Sequence, residues 1–180
     1  SGKSRCSPIL LSIRAYQDMK CPFIFMIQPN YPIIENKFRD FKHIFNDSVH
    51  LITQIAEFET VYSKHLDKPV LALFTPMLVF QLIHEFPDFE LFNKSRFILD
   101  EFHERSIDYD LLISIIASQM NKMNTSVPFQ VLLLSSTPDR RILNCFNSFL
   151  PITLPEPPLF KITDIPVRVS NINDLNDLVS

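Results

Sequence analysis

With 46% hydrophobic residues, a chain of 180 has enough apolar material to pack one domain. Its 17 Lys and Arg stand against 20 Asp and Glu, a formal charge of -3, which excludes an overall basic field and makes any nucleic-acid contact a local one. Three cysteines, Cys6, Cys21 and Cys145, lack paired metal spacing and argue against a disulfide scaffold, and no apolar run approaches the ~18 residues of a membrane span. A soluble, intracellular protein with no membrane partner is expected.

In chain order, Arg5–Met19 reads as a helix with Ile9, Ile13 and Tyr16 on one face, and Pro8 within its first turns, where a missing N–H costs little. Phe23–Gln28 reads as a strand, Ile33–Ile44 as a helix, and His50–Phe58 and Val70–Phe74 as strands. Met77–His84 is helical, Arg96–Asp100 a strand, Asp108–Met123 a helix with a core-facing stripe of Leu111, Leu112, Ile115, Ile116 and Met120, and Gln130–Ser135 a strand. Pro and Asn concentrate at Pro151–Pro158 and Ser170–Asp177 around one possible last strand, Ile162–Val169, as in a chain leaving a domain. This alternation predicts an α/β fold: a parallel sheet with helices on both faces. The chain has a single glycine, so Asn, Asp and Pro must carry the turns.

Two features carry chemistry. Asp100 and Glu101 end a buried strand and are followed by His103, Glu104 and Arg105. At the C-terminal edge of a parallel sheet, such a pair can hold a hydrated Mg²⁺ and orient a water for attack on a terminal phosphate. A bare acidic pair in this position is usually a solvated turn. Gly2, Lys3 and Ser4, however, have the form of the end of a phosphate-binding loop opening a helix. Lys3 would neutralise phosphate and the Ser4 hydroxyl would be a Mg²⁺ ligand.

The segment Asp100–Leu112, reading Asp-Glu-Phe-His-Glu-Arg-Ser-Ile-Asp-Tyr-Asp-Leu-Leu, resembles motif II of the DExH/DEAH-box superfamily 2 RNA helicases. Other stretches resemble further family motifs in order: Lys3–Pro8 the Walker A segment, Gln28–Pro29 motif Ia, Thr75–Pro76 motif Ib and Ser135–Ser136–Thr137 motif III. The tail, Phe149–Leu150–Pro151 and Leu159–Ile162, is similar to that of the poxvirus-type viral RNA helicase.

The resemblance implies the first RecA-like domain of such an enzyme, partial at its start and spanning residues 1–160, with 161–180 leading towards a second RecA-like domain. It implies binding of ATP or another NTP by Gly2, Lys3 and Ser4, Mg²⁺ held by Ser4 and Asp100, and catalysis by Asp100, Glu101 and His103. RNA contacts would come from Gln28, Pro29, Asn30 and Thr75, and Ser135 and Thr137 would couple the nucleotide to them by hydrogen bonding towards His103. Each has a plainer reading beside it: a structural histidine, a turn at Thr75, helix capping by Ser135 and Thr137. Arg105 could pair with Glu104 or Asp108, or signal between domains. The family commonly has two arginines after Gln-Pro, where Asn30 and Tyr31 stand here. Without them a non-catalytic RNA-binding scaffold is an alternative, as is a DNA-directed translocase of the superfamily.

Overall fold

Strands alternate with helices in the computed structural model, which describes residues 2–19, 21–63, 66–86, 95–122, 130–147 and 149–152. The strands are β1 (Phe23–Ile27), β2 (His50–Ile52), β3 (Val70–Phe74), β4 (Ser95–Asp100) and β5 (Gln130–Leu134). All pair in parallel, in the order β2-β3-β1-β4-β5. The helices are α1 (Lys3–Asp18), α2 (Tyr31–Phe45), α3 (Ile55–Tyr62), α4 (Pro76–Glu85), α5 (Ile107–Lys122) and the short α6 (Arg140–Leu143). The expected α/β architecture is therefore present.

Because strand side chains alternate between faces, the sheet divides the core in two. Phe23, Phe25, Ile27, Val70, Ala72, Phe74, Phe97 and Leu99 pack with α3, α4, α5 and α6. Ile24, Met26, Leu71, Leu73 and Ile98 pack on the opposite face against Ala15 of α1 and Ile34, Phe41 and Phe45 of α2. Central strands covered on both sides are largely hydrophobic, which is why β1 and β3 read as unbroken apolar runs and β4 carries Phe97–Leu99 between polar Arg96 and Asp100.

Three expectations need correction. The strand predicted over His50–Phe58 stops at Ile52, and Ile55–Tyr62 is helical. Glu57 ends the extended run by accepting from the N–H groups of Thr53 at 3.0 Å and Gln54 at 3.3 Å, while Ile55 and Phe58 bury one helical face. In α1, the face predicted from Ile13 and Tyr16 points outward, with those residues 51% and 61% exposed. The small or compact Pro8, Ser12 and Ala15 face the sheet instead, at a spacing that lets helix and sheet approach closely. The same helix starts at Lys3 rather than Arg5, so Pro8 lies inside it and one interior hydrogen bond is forgone.

Turns follow the composition. The only glycine, Gly2, has φ 70 where α1 opens, a left-handed conformation that other residues adopt with strain. Asn46 (φ 40) and Asp47 (φ 68) take the left-handed positions after α2, and Pro32 and Pro76 lie in the first turns of α2 and α4.

Gly2–Leu150 form one compact unit, and beyond it residues 151 and 152 are described, both exposed. The predicted strand Ile162–Val169, the segment 161–180 and Met123 lie outside the described residues. Among those described, no helix is long and apolar enough to cross a membrane.

Candidate active site

Parallel pairing brings the C-terminal ends of all the strands to one edge of the sheet, so Gln28, Thr75, Asp100 and Ser135, which end or follow four of them, share that edge. Asp100, the last residue of β4, is 1% exposed. A carboxylate buried to that degree needs partners. Ser4 Oγ, in the first turn of α1, donates to Oδ1 at 2.6 Å, Gln28 Nε2 donates to Oδ2 at 3.2 Å, and Lys37 Nζ on α2 forms an ion pair with Oδ2. Behind the carboxylate, the Tyr109 hydroxyl donates to the Asp100 backbone carbonyl at 2.6 Å. Burial, reinforced by the charges of Asp100, Glu101 and Glu104, pushes the Tyr109 phenol far above its ordinary range, so it stays a donor.

At the next residue the chain turns sharply. Glu101 takes a left-handed φ of 50, held by Phe102 N–H donating to the Leu134 carbonyl at 3.3 Å and Glu104 N–H donating to the Glu101 carbonyl at 2.8 Å. Strained backbone of this kind concentrates where a side chain must be aimed. Here the Glu101 side chain is 39% exposed, with Oε2 at 3.3 Å from His103 Nδ1. The same nitrogen lies 3.0 Å from Ser135 Oγ beyond β5. Which of these contacts the nitrogen donates to or accepts from follows from the imidazole tautomer. Lys3 Nζ donates to the Ser135 carbonyl at 3.0 Å, which closes a chain of contacts Lys3–Ser135–His103–Glu101.

The family model for the DEAD/DEAH box helicase matches residues 1–145. The chain belongs to the DEAD/DEAH box helicase family. No curated protein matches it. The parallel sheet is accordingly a RecA-like one, and the molecule is an ATP-dependent helicase domain of superfamily 2.

Gln28, expected on the RNA side, is fully buried with its Nε2 turned towards Asp100. Pro29 is half-buried beside it, and Asn30 is exposed but caps α2, its Oδ1 accepting from Ile33 N–H at 3.2 Å. Thr75 Oγ1 caps α4, accepting from Leu78 N–H at 3.4 Å. Thr137 reaches Ser135 Oγ through its backbone N–H at 3.0 Å, not through its hydroxyl towards His103. Lys37 and Tyr109 join the site beside the residues expected there. Their signal was a lysine in register with the buried Ile34 and Phe41, and a phenol heading the stripe Leu112, Ile113 and Ile116.

Arg105 pairs with neither Glu104 nor Asp108. It grips Asp110 with two bonds of 2.5 and 2.6 Å and reaches Asp139, after motif III, at 3.2 Å. Hydrogen bonds from the Arg141 side chain and backbone hold the Asp139 carboxyl well below the usual carboxylate range, at about 2. A depressed folded pKa means that the stabilisation is complete above the unfolded value of about 3.9 and disappears as pH falls through the folded one. Asp139→Asn is therefore expected to lower the Tm slightly at neutral pH, with the difference from wild type closing between pH 4 and 2 in thermal melts.

A divalent ion fits the site. Among the described residues no cluster of three or more His, Cys, Asp or Glu could hold a metal by itself. Mg²⁺ characteristically takes one or two protein oxygens and completes its shell with water and substrate phosphate, and Ser4 and Asp100 present such a pair of oxygens, in hydrogen-bond contact with each other.

Proposed function

We propose that this chain is the ATP-binding, first RecA-like domain of a DExH-type RNA helicase, with the poxvirus-type viral group as its subgroup, and that ATP hydrolysis here drives RNA unwinding against a second RecA-like domain. The observation that carries the reading is the convergence of Ser4 on buried Asp100, with Glu101 beside a histidine that also contacts Ser135.

Gly2, Lys3 and Ser4 cradle the phosphates at the N-terminus of α1, where backbone N–H groups favour anions. Lys3 leaves the Ser135 carbonyl to meet them. Ser4 and Asp100 hold Mg²⁺, which when bound offsets charge on the transferring phosphoryl group. Glu101 orients the attacking water and receives its proton, and His103 passes the change to Ser135. The second domain contributes the arginines that stabilise the transition state, so residues 1–180 alone bind nucleotide with little turnover. RNA runs past the sheet edge at Pro29, Asn30 and Thr75. Asn30 is already occupied as a helix cap and Tyr31 replaces an arginine, which favours weak RNA contact there and is the one observation on the side of a non-catalytic scaffold.

The test is ATP hydrolysis by the full-length protein titrated with RNA and, separately, with DNA, followed by strand displacement. Stimulation by RNA with unwinding is the expected result. Stimulation by DNA alone would identify a DNA translocase, and nucleotide binding without turnover a scaffold.

A further inference from the structure

Lys37 carries a positive charge to the carboxylate that the proposed reading assigns to Mg²⁺. It projects from the inner face of α2, 18% exposed, and pairs with Asp100 Oδ2. Gln28 Nε2 donates to the same oxygen at 3.2 Å, and Ser4 Oγ occupies Oδ1 at 2.6 Å, so both carboxylate oxygens are engaged. Lys3, the lysine of the phosphate loop, plays no part in this neutralisation, since its Nζ lies on Ser135. A second observation concerns the same glutamine. Gln28 Oε1 is buried and makes no hydrogen bond among the described residues. A buried carboxamide oxygen beside a satisfied carboxylate is an acceptor awaiting a donor, as a metal-bound water would be.

We infer that Lys37 is a tethered stand-in for the metal: its ammonium neutralises Asp100 while the site is empty, and entry of Mg²⁺ with nucleotide is an exchange in which Lys37 swings out to solvent. The physical reason is charge. Buried Asp100 without a cation would be strongly unfavourable, so a permanent neighbour keeps the empty domain folded. A divalent ion and an ammonium on one carboxylate repel, so both do not stay. The four-carbon stem of lysine, anchored near the surface of α2, allows the ammonium to reach water without movement of the helix. The exchange lowers apparent metal affinity by the fraction of molecules in which Lys37 holds the oxygen. Lys37 is thus a positioning residue for Asp100 and not a group that touches the reacting phosphate.

This inference rests on the nucleotide-site reading, and the test separates the two. Mn²⁺ serves as the probe in the full-length protein with a non-hydrolysable ATP analogue, its binding followed by electron paramagnetic resonance. Lys37→Met is expected to tighten Mn²⁺ binding about five- to tenfold and to lower the metal-free Tm, whereas Asp100→Asn abolishes specific Mn²⁺ binding. An unchanged Mn²⁺ midpoint in Lys37→Met, with binding lost in Asp100→Asn, overturns the exchange and leaves the site reading standing. Unchanged binding in Asp100→Asn overturns both. Should Lys37→Met fail to fold, the wild-type chain still decides: amine acylation read by peptide mass spectrometry should rise at Lys37 when Mg²⁺ and nucleotide are present, and an unchanged yield overturns the exchange.

Discussion

With Glu101 as the proposed general base of an RNA helicase, Glu101→Gln in the full-length protein is expected to reduce RNA-stimulated ATP turnover by about 10²–10⁴-fold, the range for loss of such a group. Gln keeps the length of the side chain, and the carboxamide oxygen still accepts from His103 at the position now held by Oε2, 3.3 Å away. What it cannot do is take a proton from the attacking water or carry the charge that orients it. Asp100 with its Ser4, Gln28 and Lys37 partners is untouched, so nucleotide affinity should hold and the loss should appear in kcat rather than KM. Single-turnover hydrolysis and equilibrium nucleotide binding measure the two separately. Turnover within threefold of wild type would remove Glu101 from the role of base.

Phe25→Ala is the substitution expected to cost most in stability, about 3–5 kcal/mol. The ring is fully buried in the central strand and contacts aromatic neighbours on several sides: Phe97 at a centroid distance of 5.3 Å, Phe58 at 5.9 Å and Phe74 at 6.0 Å. These come from β4, α3 and β3, so surrounding elements would have to shift together to fill the space, and the central sheet resists that. A domain stable by roughly 5–15 kcal/mol would lose a large share of it. Urea unfolding should show a lower midpoint at unchanged slope. A loss under about 1 kcal/mol would mean that this face repacks freely, contrary to the close packing of the interior.

The strands were legible for a physical reason: parallel strands buried on both faces are largely apolar, as β1 and β3 are throughout and β4 is at Phe97–Leu99. Where the sequence misled, two patterns overlapped. His50–Phe58 has the hydrophobicity of a strand, yet Ile55 and Phe58 are also three apart, and Glu57 reaching back to Thr53 and Gln54 decided for the helix. On α1 the large residues suggested the inner face, but close approach to the sheet selected the small ones.

By itself the sequence determined the alternation of strands and helices, the motif order and the chemical identity of Asp100, Glu101, His103, Lys3 and Ser4, because these are properties of residue type and local spacing. Only the tertiary structure decided that Gln28 turns inward, that Lys37 reaches Asp100, that Tyr109 holds the Asp100 carbonyl and that Arg105 selects Asp110 and Asp139. Those partners are separated along the chain by up to 72 residues. Which of several available donors satisfies a buried carboxylate depends on strand order and helix placement across the sheet, and no local pattern encodes it.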